Sequence, residues 1–122
     1  MKYAALLTND ADVVAAWEQL TPEQSAAARA NEVPQWEALF AELGPLGVLG
    51  FSVELDSPST AKTVRVRDGE TIVTDGPFAE TKEQIGGVIE IEAADLDQAI
   101  GIAARIPVAT SASVELRPVK ER

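Results

Sequence analysis

The sequence predicts an α+β fold: an antiparallel sheet covered on one face by helices, with a β-hairpin inserted. Three observations predict it. The composition, 46% apolar and 25% charged over 122 residues, is that of a globular chain with a real core. The apolar period alternates between helical and two-residue spacing in the order strand, helix, strand, hairpin, strand, helix, strand. Capping and turn residues fall at the switches: Asp10, Thr21-Pro22-Glu23-Gln24, Asp68-Gly69 and Asp95-Leu96-Asp97-Gln98.

Lys2–Leu7 is short and apolar and reads as the first strand. Asp10 can cap a short helix whose Val13, Val14, Trp17 and Leu20 fall on one apolar face. Thr21 then opens a long, alanine-rich helix. Its hydroxyl can accept from a first-turn amide, Pro22 suits the first helical position, and Gln24 can reach back. Gly44-Pro45 ends that helix. Pro34 lies inside it, where a missing N–H and a clash with the preceding turn cost ~3 kcal/mol. A kink over residues 30–33, or a second helix starting near Pro34, is expected.

From Val48 to Leu55 the period is two, with Leu49, Phe51, Val53 and Leu55 on the core face and Ser52 and Glu54 opposite. Thr63–Arg67 and Thr71–Thr74 flank Asp68-Gly69 and form the hairpin. Gly86-Gly87 introduces a strand over Val88–Glu92, the two glycines allowing close backbone packing. Leu96, Ala99, Ile100 and Ala103 make a helical stripe that Pro107 closes, and Ala112–Pro118 is the last strand. Without the hairpin this order is the ferredoxin-like split βαβ arrangement, within one domain spanning residues 1–122.

The charge balance and the missing residue types exclude several functions. Ten basic against twenty acidic residues give a net charge of −10, which repels phosphate backbones and argues against nucleic-acid binding. The absence of cysteine and histidine removes disulfides, thiolate nucleophiles, imidazole bases and the usual zinc ligands. No metal or organic cofactor is implied. No apolar run reaches the length of a signal sequence or a membrane span, so the expected location is the cytoplasm.

Two regions carry candidate chemistry. The sheet face away from the helices is expected to hold Ser52, Glu54, Val88, Glu90, Glu92, Ser113, Glu115 and Arg117. That face is either solvated or enclosed by a second copy, where the carboxylates could pair with Arg65 or Arg117, hold a cation or act as a base. The second region is Asp75-Gly76-Pro77-Phe78. Its bland reading is turn chemistry, with Asp75 capping loop amides, Gly76 supplying positive φ, Pro77 fixing the next turn and Phe78 as a buried plug. Its functional reading is a ligand loop. Lys82 could bind a carboxylate or phosphate as a point charge, and Thr81 and Glu83 could line the same site. Arg65 and Arg67 share one strand face and could clamp an anion or pair with Glu70 across the hairpin.

The stretches Thr60–Gly69 and Val73–Gly87, with the opening Met1-Lys2-Tyr3 and the terminal Val114-Glu115-Leu116-Arg117-Pro118-Val119, resemble the YCII-related family, in the branch with the Asp-Gly-Pro-Phe motif. The resemblance is specific from Pro58 to Asp97 and loose over residues 11–47. It implies a dimeric α+β barrel, formed when the sheets of two subunits pack together, with a pocket near the motif loop. Some relatives are thought to be enzymes using a His–Asp pair. With no histidine in this chain, Asp75 is the one acid or base that carries over. The expected ligand-binding residues are Arg65, Asp75, Gly76, Phe78, Thr81 and Lys82.

Three functions follow. The first is a homodimer binding a small polar metabolite. The second is a lyase or hydrolase with Asp75 as acid or base and Lys82 or Arg65 orienting an anionic group. The third is a regulatory module partnering an extracytoplasmic-function sigma factor, since relatives are often found beside such factors.

Overall fold

The computed structural model describes residues 1–77 and 83–121. Among the described residues, six strands and three helices follow in the order β1 (Lys2–Asp10), α1 (Ala11–Glu18), α2 (Pro22–Leu43), β2 (Leu49–Glu54), β3 (Lys62–Arg67), β4 (Glu70–Asp75), β5 (Glu83–Glu92), α3 (Leu96–Ala103) and β6 (Ser113–Pro118). Short 3-10 turns lie at Gly44–Leu46, Pro58–Thr60 and Pro107–Thr110. Four strands form an antiparallel sheet in the order β2-β5-β1-β6, and β3 and β4 form a separate two-stranded sheet. Neither sheet closes into a barrel.

The helix starts agree with their capping residues. Asp10 accepts from the Asp12 amide at 2.9 Å, and Asp95 accepts from the Gln98 amide at 2.8 Å. Thr21 and Gln24 make both halves of a capping box, at 3.2 and 3.0 Å. At the hairpin tip Asp68 and Gly69 have φ of 52° and 79°. Two consecutive positive values are what a two-residue turn needs to follow the strand twist.

Both long strands start or end beyond their expected bounds. β1 continues to Asp10 and β5 begins at Glu83, because Thr8, Asn9 and Asp10 pair with Ile85, Gln84 and Glu83. The ladder skips Gly86, whose carbonyl turns to the neighbouring strand and accepts from the Leu55 amide at 2.8 Å.

The core lies between one face of the four-stranded sheet and α2 and α3. Tyr3 and Ala5 from β1 and Ile89 and Ile91 from β5 meet Leu39, Leu43, Ala99, Ile102 and Ala103. Ile91 is fully buried, and burial of such a side chain is worth about 1.5–3 kcal/mol. On α2 only Leu39 and Leu43 are buried, so the first half of that helix projects past the core. An ion pair between Arg29 and Glu54 ties it to β2.

Two expectations are corrected in whole or in part. The second helix offered as the alternative to a kink at Pro34 does not form: α2 is one helix from Pro22 to Leu43. The position is exposed, so water can serve the Ala30 carbonyl that Pro34 leaves without its helical donor.

The second correction concerns β2. Leu49 pairs with Ile91 and Ser52 with Ile89, so Gly50 and Phe51 together stand opposite Glu90. This bulge shifts the alternation by one residue. Ser52 and Glu54 move to the helix side, where Glu54 reaches Arg29. Phe51, Val53 and Leu55 leave the core face and are 65%, 39% and 46% exposed.

Candidate functional site

Asp75 ends β4 directly opposite Lys62, and the two side chains form an exposed ion pair. Its neighbour Gly76 has φ of 93°, a backbone conformation that a side chain would strain. Two contacts hold the turn in place. The Gly76 amide donates to the Ala61 carbonyl at 2.8 Å, and the Thr63 hydroxyl donates to the Gly76 carbonyl at 2.8 Å. The hairpin base therefore fixes where Gly76 and Pro77 sit.

Gly76 and Pro77 form one wall of an open groove of about 410 Å³. Val14, Ala15 and Glu18 of α1 also line it, with Ser59 and Gln84. The size falls within the range of small-molecule sites. The wall is also built to present oxygen atoms. The Ser57 hydroxyl donates to the Glu18 carboxylate, and the Ser57 and Ser59 hydroxyls are 2.9 Å apart. Pro58 stiffens the 3-10 turn that carries Ser59. The lining offers a carboxylate, a hydroxyl and a carboxamide beside the apolar Val14 and Ala15. It can bind a compound with several hydrogen-bonding groups.

Of the residues expected to bind ligand, Gly76 lines this groove and Asp75 does not. Arg65 lies in the middle of β3 opposite Ile72, partly buried, and is not among the lining residues. Arg67, rather than Arg65, stands opposite Glu70. Phe78, Thr81 and Lys82 lie outside the described residues. Among the described residues no three metal-ligating side chains converge, and no helix is long and apolar enough to cross a membrane.

Sequence reasoning missed Glu18, Ser59 and Gln84. It placed Val13, Val14, Trp17 and Leu20 on one apolar face, yet α1 has no buried residue. Val14 and Glu18, four apart, face the motif groove, while Val13 and Trp17, also four apart, line a separate cavity on another side of the helix. The available signal was the short length of α1: one flanked by polar Asn9, Asp10 and Glu18 has little apolar surface to anchor.

Fold and groove together define a small α+β protein with the Gly76–Pro77 turn lining an open groove. All of it, residues 1–122, matches the YCII-related domain family, to which the chain belongs. It is similar to an uncharacterized protein of Rhizobium meliloti (strain 1021), with 38% identity over 98% of this chain and 92% of that relative.

Proposed function

We propose that this YCII-related protein is a homodimer that binds a small polar metabolite in the groove beside the Gly76–Pro77 turn. The observation that carries the reading is the position of that turn. The Gly76–Pro77 turn lines the groove together with Glu18, Ser59 and Gln84. Three groups able to accept hydrogen bonds favour a ligand rich in hydroxyl or amino groups.

The homodimer is supported by the sheet face away from the helices. Phe51, Val53 and Leu55 are exposed beside half-buried Leu6 and Val88, a contiguous apolar strip of the kind that marks association. The strand order β2-β5-β1-β6, antiparallel throughout, supports the ferredoxin-like reading, and covering that strip with a second copy would give the dimeric barrel.

A thermal-shift screen against polyols, amino sugars, amino acids and nucleosides tests the site. Ala15→Leu fills the groove from an exposed helical position with little loss of helix propensity. Wild type should respond to at least one compound, with a ligand at a hundred times its Kd adding ~2.7 kcal/mol. Ala15→Leu should melt like wild type when empty and show no response. A response that survives Ala15→Leu but is lost in Asp75→Asn would move the site to the hairpin and restore Asp75 as the functional acid.

A further inference from the structure

The β3–β4 hairpin is a sheet of its own, and the outer edge of β4 is unpaired among the described residues. We propose that this edge is a homotypic interface. β4 pairs antiparallel with β4 of a second copy, about a two-fold axis at Val73, and gives a four-stranded sheet across two subunits. The contact is separate from the apolar strip on β2 and goes beyond the reading above.

The two edges of the hairpin are differently guarded. β3 carries Lys62, Arg65 and Arg67, and charged side chains along a strand hinder its pairing with another chain. β4 has carboxylates only at its ends. Between them Thr71-Ile72-Val73-Thr74 is uncharged and β-branched throughout, and every residue of the strand is exposed. Such a run is a template for strand addition. A two-stranded hairpin is at best marginally stable by itself, and neither strand here has a buried residue. Added strands strengthen it.

Charge selects a second copy as the occupant. The chain's net charge is −10, yet residues 62–75 are neutral, with Lys62, Arg65 and Arg67 against Asp68, Glu70 and Asp75. Asp75 is ion-paired with Lys62, and Glu70 stands opposite Arg67. Two copies that repel each other elsewhere meet here across a balanced surface.

The residues are also self-complementary. With the axis at Val73, Val73 faces the partner's Val73, Ile72 the partner's Thr74, and Thr71 the partner's Asp75. No like charges are opposed. Val64 already stands opposite Val73 within the hairpin, so the pairing aligns four valines in one apolar row across the four strands. Two paired six-residue strands make a small interface, which acts at higher concentration than the contact through the sheet face.

The chain has no cysteine, so one introduced thiol reports on the edge alone. In this register the two Cα atoms of residue 73 are ~4.5–5.5 Å apart, within disulfide range, while those of residue 72 are ~8 Å apart and outside it. Under mild oxidation Val73→Cys should form disulfide-linked dimers at least tenfold faster than Ile72→Cys. This comparison stands whether or not the β2 strip associates. Sedimentation velocity on Phe51→Ser protein, with the face contact weakened, is the second readout. Association should persist at high concentration, be lost in Phe51→Ser/Val73→Lys, where like charges are opposed, and be kept in Phe51→Ser/Val73→Thr. Equal cross-linking of the two cysteine variants, or of neither, would overturn the proposal. So would Phe51→Ser protein that never associates, or association untouched by Val73→Lys or lost as fully in Val73→Thr.

Discussion

Phe51→Ser is the most informative single change, because it separates folding from association. Phe51 sits in the β2 bulge with 65% of its surface exposed, so it contributes little to the stability of the isolated subunit. Full burial of a phenylalanine is worth about 1.5–3 kcal/mol, and covering two-thirds of one recovers about 1–2 kcal/mol. A two-fold dimer uses the same patch twice, so the variant loses about 2–4 kcal/mol of association free energy. That is a ~30- to ~700-fold rise in dimer Kd. Sedimentation velocity over a dilution series reads it directly, with a circular-dichroism melt at low concentration as the folding control. The expected result is a dimer for wild type, a shift toward monomer for Phe51→Ser, and similar melting of the two monomers. A wild type that stays monomeric throughout, or a variant with unchanged dimerisation, would refute the reasoning.

Further predictions rest on the subunit itself. Gly87→Ala places a methyl group 3.1 Å from the Val53 carbonyl oxygen and against Leu7, inside the sheet. It should destabilise by ~1–3 kcal/mol in urea unfolding. Pro34→Ala restores the hydrogen bond to the Ala30 carbonyl at an exposed site and should raise stability by ~2 kcal/mol, once the ~3 kcal/mol helix penalty is offset by greater freedom of the unfolded chain. Thr21→Ala removes the hydroxyl that accepts from the Gln24 amide and should cost ~1 kcal/mol, seen as faster amide exchange in the first turn of α2.

The sequence made the local signals legible and the register much less so. Thr21-Pro22-Glu23-Gln24, Asp68-Gly69 and Asp95 each act within four residues, and each forms the cap or turn that its chemistry requires. Which strand residues face the core is decided elsewhere, by the partner strand. Strict alternation sent Phe51, Val53 and Leu55 inward, and a single extra residue opposite Glu90 reversed the result. Gly50 was the local hint, since a lone glycine inside a strand often marks a bulge. The groove was half legible for the same reason. Gly76 is demanded by its own φ, but Glu18, Ser59 and Gln84 come together only once α1, the Pro58 turn and β5 are packed.

That bulge connects the core, the exposed face and the long helix. By turning Glu54 toward α2, it supplies the acceptor for Arg29, whose guanidinium is held more firmly protonated by the hydrogen bond and charge of Glu54. The contact is exposed and worth little by itself, but the first half of α2 has no buried side chain, and this pair joins it to β2. The same shift turns Phe51, Val53 and Leu55 onto the other face, away from the core. A regular strand would have done the reverse, turning those apolar groups toward the helix side and leaving Glu54 on the open face. In the proposed dimer this face would meet its copy, which favours apolar groups at the β2 edge and fewer like charges there. The irregularity at Gly50–Phe51 meets both requirements, at the cost of the more regular core that strict alternation would have made.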